Sequence, residues 1–221
     1  MENGEISLSK DEGGLDFINV SNQLADAKIY LQGGHVVWWK PRSIKEDVLW
    51  LSSNARYEEG RSIRGGIPIC WPWFGNHPTD GKYCVHGFAR VALWNIVSTA
   101  QLKNGASKII LKMTPSESQL KQLTYNYELE LTIIIGDSLH LNLQTKNLSD
   151  HPFTISEGFL GVEVIVAVAV SVGVSVTVGV LVWVAVNVAV GVSDGVAVSL
   201  GVEVIVAVAV SVGVAVSVAQ Y

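Results

Sequence analysis

"YELELTIIIGDSLHLNLQTKN", residues 127–147, decides the fold class. Apolar and polar residues alternate on both sides of Gly136-Asp137. A period of two is the strand period, because successive side chains of a strand point to opposite faces. Gly-Asp suits a primed two-residue turn, whose twist matches that of the strands it joins. The stretch therefore predicts a tight antiparallel hairpin with one buried face. Outward from it, short apolar runs at 27–31, 35–39, 48–51, 91–97 and 108–113 are bounded by Gly, Asn, Pro or charged residues and read as further strands. Only "SESQLKQL", 116–123, has a helical start, with Ser116 as N-cap. The expected class is all-β, and 221 residues with a 49% apolar share suffice for one large domain.

Beyond residue 157 the chain changes character. From 162 to 218 every even position is Val except Asp194 and Leu200, with mostly Ala, Ser and Gly between, and residues 160–178 recur at 200–218 with two differences. The division expected is residues 1–157 as the N-terminal part of a sandwich and 158–221 as a low-complexity tract packed on it. Two foldings compete for the tract. Val at alternate positions fits a pleated sheet, with turns at Gly173, Gly179, 191–195 and Gly201. The uncharged run 164–193 is also long enough to span a bilayer as a helix, which takes about 20 apolar residues. Strands are favoured, because a helix would scatter the valines around its whole circumference. High β propensity without charge or proline also makes self-association through the tract an expectation.

Fifteen Lys and Arg against 20 Asp and Glu, a net charge of −5, argue against a nucleic-acid partner, which needs many phosphates neutralised. A small anion remains possible, since two or three local arginines suffice. The start, "MENGEISLSKDEGG", has no basic segment followed by an apolar run, so a cytoplasmic location is expected. Cys70 and Cys84 lack metal-ligand spacing and read as reduced thiols.

The most particular stretch is "SIRGGIPICWPWFGNHPTDGKYCVHGFARVALW", 62–94. Arg64 precedes Gly65-Gly66, and Arg90 closes "HGFAR"; Trp71, Trp73, Phe74 and His86 lie between. Guanidinium forks match phosphate or carboxylate oxygens, glycines let backbone approach a ligand, and aromatic faces stack on sugar rings. Together these describe a polar, ring-shaped, anionic ligand. Each also has a plainer reading: the aromatics as core, His86 as a satisfied buried histidine, either arginine as a clamp on backbone carbonyls.

"IRGGIPICWPWFG" followed by "HGFAR" and a Trp resembles the signature of the hexose-6-phosphate mutarotases, or glucose-6-phosphate 1-epimerases, in the aldose 1-epimerase group. The resemblance covers about residues 12–157, including "LQGGHVVWWKP", "VLWLS" and "NLSDHPFTISE". It implies a galactose-mutarotase-like β-supersandwich and a hexose 6-phosphate such as glucose 6-phosphate as ligand. It implies substrate contacts at Arg64 and Arg90, with His86 in the sugar pocket. Val85 stands where many relatives have a Gln that touches substrate.

Interconverting anomers needs a general acid at the ring oxygen and a general base at the anomeric hydroxyl, and no metal or organic cofactor. The resemblance implies an acid histidine just after the segment matching 154–157, where this chain has Leu160, and a late-strand glutamate as base. No catalytic residue is assigned, although Glu163 and Glu203 are carboxylates of the tract. Three functions follow: an epimerase, a sugar-phosphate-binding module without turnover, and a self-associating or membrane-attached β protein.

Overall fold

The computed structural model describes residues 5–150, 153–159, 165–170, 174–176, 186–190 and 199–207. The first sheet is a meander of four antiparallel strands, β1 (Glu5–Lys10), β2 (Asp16–Ser21), β3 (Ala25–Tyr30) and β4 (His35–Pro41). β5 (Ile69–Cys70) follows a long loop, then β6 (Leu93–Gln101), β7 (Ser107–Thr114), α1 (Glu117–Leu120), β8 (Tyr127–Ile135), β9 (Ser138–Asn147) and β10 (Phe153–Phe159). The tract supplies β11 (Ile165–Val170), β12 (Val174–Val176), β13 (Val186–Val190) and β14 (Ser199–Ala207). A seven-stranded sheet runs β12-β11-β14-β9-β8-β7-β6, and a three-stranded one runs β13-β10-β5. The class is all-β, as the hairpin predicts.

That hairpin is β8 and β9, joined by Gly136-Asp137 and paired from Tyr127↔Asn147 to Ile135↔Leu139. Leu129, Leu131, Ile133 and Ile135 share a buried face with Leu139, Leu141 and Leu143. They join Ile18, Val20, Ala27 and Ile29 of the first sheet in one contiguous core. Each such side chain contributes roughly 1.5–3 kcal/mol of burial. Two polar ties fix the sheets. The buried Asn22 amide donates to Ser107 Oγ (2.9 Å) and the Ile135 carbonyl (3.0 Å), and Trp39 Nε1 donates to the Gly136 carbonyl at 3.2 Å. Buried donors left unpaired would each cost about 1–3 kcal/mol, so these ties specify register as well as hold it.

The runs at 27–31, 35–39, 91–97 and 108–113 fall in β3, β4, β6 and β7. Ser116 caps α1 with a full capping box, its hydroxyl accepting from Gln119 N–H while Gln119 Oε1 accepts from Ser116 N–H. The run 48–51 forms no strand, only a bridge between Leu51 and Gly65. Its backbone is engaged by the loop crossing it: Ser52 N–H donates to Arg64 O, and Gly66 N–H to Trp50 O.

In the tract, β14 pairs with β9 over nine residues, from Ser199↔Lys146 to Ala207↔Ser138. Gly201 therefore lies inside a strand, opposite Gln144, where a turn was expected. The Gly201 backbone is carried through by its ladder to β9, in a strand that continues through the β-forming residues 202–207. β11 pairs with β14 so that Ile165 faces Ile205, its own counterpart in the repeat. Residues 173, 179, 191–195, Leu160 and Glu163 lie outside the described residues. Among the described residues no helix is long and apolar enough to cross a membrane.

Candidate anion-binding site

The site is built where the β3–β4 turn, the loop before β5 and the loop after it converge. Gly66 sits at φ 63°, and a Cβ there would lie 2.4 Å from Val36 O. The glycine serves approach to strand β4, whereas the sequence suggested approach to a ligand. The Gly65 carbonyl accepts a hydrogen bond from His35 Nε2 at 2.7 Å. A carbonyl can only accept, so the His35 proton sits on Nε2. Arg64, carried by this turn, keeps an exposed side chain.

Arg90 is placed from the other side. Gly33, at φ 84°, lies against its backbone, where a Cβ would come 2.6 Å from Arg90 O. Phe88 and Ala89 N–H both donate to Trp71 O, at 3.0 and 3.2 Å, which fixes the turn that precedes it. Arg90 Nη2 donates to Val85 O at 2.5 Å, while its buried Nε has no partner. The two motif arginines thereby reach one cavity of about 630 Å³, which Arg56 and Arg61 also line beside Asn54 and Ser62. The cluster is concentrated cation in a chain whose net charge is −5.

His86 does not line this cavity. It occupies the left-handed region at φ 67°, its N–H donates to Gly75 O at 2.6 Å, and its Nδ1 accepts from Gly75 N–H at 3.1 Å. Accepting at Nδ1 leaves Nε2 as the donor of the neutral ring. Burial, with Arg90 adding to it, lowers its pKa below the ordinary histidine range. Phe74 packs edge-on against it at 4.9 Å and also lines a second cavity of about 500 Å³, with Trp73, His77, Gln122 and Ser156.

Trp71 and Trp73 take their plainer reading. Trp71 is wholly buried with Nε1 on Thr145 Oγ1 at 3.0 Å, and Trp73 donates to Cys84 O at 2.9 Å. They pack edge-on against Phe88 and so shape the loop from beneath. Both cysteines are free; burial pushes Cys70 up to about 12 and raises Cys84, so neither thiol is a thiolate at neutral pH.

His35 is the participant the sequence reading missed. It is fully buried, and burial, with Arg90 adding to it against the Gly65 hydrogen bond, lowers its pKa to about 4. It is neutral in use, and its Nδ1 is buried without a partner. Its place in "LQGGH", immediately after two glycines at a strand start, was the available signal.

Sequence and fold both match a known class of β-sandwich proteins. The aldose 1-epimerase family profile matches residues 16–159, more than half of the chain, and the chain belongs to that family. A protein of Escherichia coli K12, named provisionally as a glucose-6-phosphate 1-epimerase, is 36% identical over 131 residues, which is 59% of this chain and 44% of that one. A Cenchrus ciliaris protein of the same provisional name is 38% identical over 136 residues, 58% of this chain and 40% of its own. Among solved structures, a Salmonella typhimurium protein described provisionally as a mutarotase superposes with TM-score 0.63 at 29% identity, covering 71% of this chain and 50% of that one. A galactose mutarotase-like protein from Clostridium acetobutylicum shares the fold at 16% identity and TM-score 0.57, covering 72% and 54%. The chain spans less than half the length of these curated relatives.

Proposed function

We propose that the chain carries the phosphate-binding part of a hexose-6-phosphate 1-epimerase site, with glucose 6-phosphate as the type ligand. Arg64 and Arg90 hold the phosphate and His86 faces the sugar. The observation that supports this most is the meeting of Arg64 and Arg90, from opposite ends of one motif, on a single cavity whose described lining holds no carboxylate. Phosphate oxygens replace the water that guanidiniums otherwise hold, and hydrogen bonds between charged groups are worth about 1.5–3 kcal/mol each. Family membership and the curated relatives' names point to the same ligand class.

Anomer exchange moves a proton to the ring oxygen and removes one from the anomeric hydroxyl. His86, neutral and donating through Nε2, supplies a hydrogen bond and no excess proton at pH 7. With Leu160 at the position the resemblance gives to the acid, a second reading is favoured alongside the first: binding with little turnover. Calorimetry with glucose 6-phosphate should show saturable binding that weakens about 10–100-fold in Arg64→Ala or Arg90→Ala. Unchanged affinity in both variants overturns the site. Two-dimensional exchange NMR of the sugar then separates the readings: faster α/β exchange means an epimerase, and broadened resonances without exchange mean a binding module.

A further inference from the structure

Two arginines satisfy one terminal phosphate, yet four line this cavity. Arg56 and Arg61 come from the loop between Ser52 and Ser62, outside the 62–94 motif, and their positions are fixed from below. Gln32, 7% exposed, spends its whole amide on this loop: Nε2 donates to Glu58 O (3.0 Å) and Arg61 O (2.8 Å), and Oε1 accepts from Gly60 N–H at 2.8 Å. Tyr57, next to Arg56, stacks on the buried Tyr30 with ring centroids 5.1 Å apart.

The charges do not balance within the chain. Arg61 pairs with Glu58 at 2.8 Å, whereas Arg56, Arg64 and Arg90 have no ion pair among the described residues. Among the described residues, four guanidiniums against that one carboxylate leave three positive charges around one hollow. A phosphate monoester dianion neutralises two of them. Like charges gathered in a concave space repel, and an anion bound there relieves the repulsion. Arg90 Nε adds a buried donor without an acceptor at the same place.

Resting on the assignment of the phosphate to Arg64 and Arg90, we propose that Arg56 and Arg61 form a second anion subsite, so that the cavity takes a ligand with two phosphoryl groups. Arg64 and Arg90 bind the first and Arg56 and Arg61 the second. Arg61 exchanges its Glu58 contact for the ligand. A hollow of about 630 Å³ has room for both groups.

The probes are inorganic phosphate and pyrophosphate, titrated calorimetrically into the full chain at fixed pH and ionic strength. Pyrophosphate should bind at least 10-fold more tightly than phosphate. The double variant Arg56→Ala/Arg61→Ala should bring that ratio close to one while leaving phosphate affinity within about 3-fold, and Arg64→Ala should weaken both probes. Both substituted residues are exposed, and an unchanged circular dichroism spectrum and melting midpoint certify the fold. A ratio near one in the unaltered protein, or an equal ratio in the double variant, overturns the second subsite while Arg64-dependent phosphate binding leaves the first intact. Failure of both probes to bind overturns the first assignment and the second with it.

Discussion

Strand β9 has two neighbours that could hardly be less alike. On one side β8 pairs with it over nine residues through a chain of distinct side chains, Tyr127, Glu128, Leu129, Glu130, Leu131 and Thr132 among them, closed by a two-residue turn. On the other, β14 pairs over nine residues with a stretch whose neighbouring pairs are nearly interchangeable, since Val202, Val204 and Val206 recur at every second place. The hydrogen-bond ladders are equivalent, but their information content is not. A one-residue slip of either strand inverts its faces, whereas a two-residue slip of β14 exchanges one Val for another. Pairing is thus a property of the backbone and uniqueness a property of the side chains.

The sharpest way to break this contrast uses Leu143, which faces Leu131 on β8 and Val202 on β14. Leu131→Ala, at a fully buried position, should cost about 2–5 kcal/mol in chemical denaturation. Val202→Ala should cost well under half as much, because sliding by two brings another Val opposite Leu143. Equal costs would mean that the tract's register is as firmly set as the hairpin's.

The next largest effect belongs to His35, in the first sheet. Its folded pKa of about 4 lies below the ordinary 6.5, so the folded state prefers the neutral ring. The stability this preference contributes is complete above pH 6.5 and is lost as pH falls through 4, because the unfolded chain binds the proton first. The loss approaches about 3 kcal/mol. His35→Gln should flatten the denaturation midpoint over that window relative to the unaltered protein; parallel curves would disprove the linkage.

Gln32→Ala removes three hydrogen bonds from the arginine loop and should cost about 1–2 kcal/mol, with the preference for pyrophosphate over phosphate reduced as the loop loosens. An unaffected melting midpoint would show that the loop holds itself. Smallest is Ser116→Ala at the exposed capping box, about 1 kcal/mol, which should leave ligand binding untouched. A change in binding would mean that the second cavity, which Gln122 lines just beyond α1, takes part in holding the ligand.

Legibility followed the range of the interactions. The Gly136-Asp137 hairpin and the Ser116 cap are local, and both were readable from a few consecutive residues. β1 and β2 were not, because "EISLSK" has only two apolar residues among six and "DFINVS" three, and they become strands by pairing with each other and, for β2, with β3. Arg64 and Arg90 stood out through motifs at the two ends of one stretch. Arg56, Arg61 and His35 join them only through the fold, by the Leu51–Gly65 bridge, the Gln32 clamp and the Gly65 carbonyl. No spacing in the sequence encodes those meetings.

The pairing of Ile165 with Ile205 has one more consequence. A segment that pairs antiparallel with its own duplicate has a local twofold axis, and the same ladder can be made between two molecules with no new contact chemistry. Within one chain the two copies meet at the effective concentration set by the residues joining them. Strand exchange between molecules is therefore the expected outcome once protein concentration exceeds that value, and sedimentation over a concentration series would read it as a growing dimer fraction.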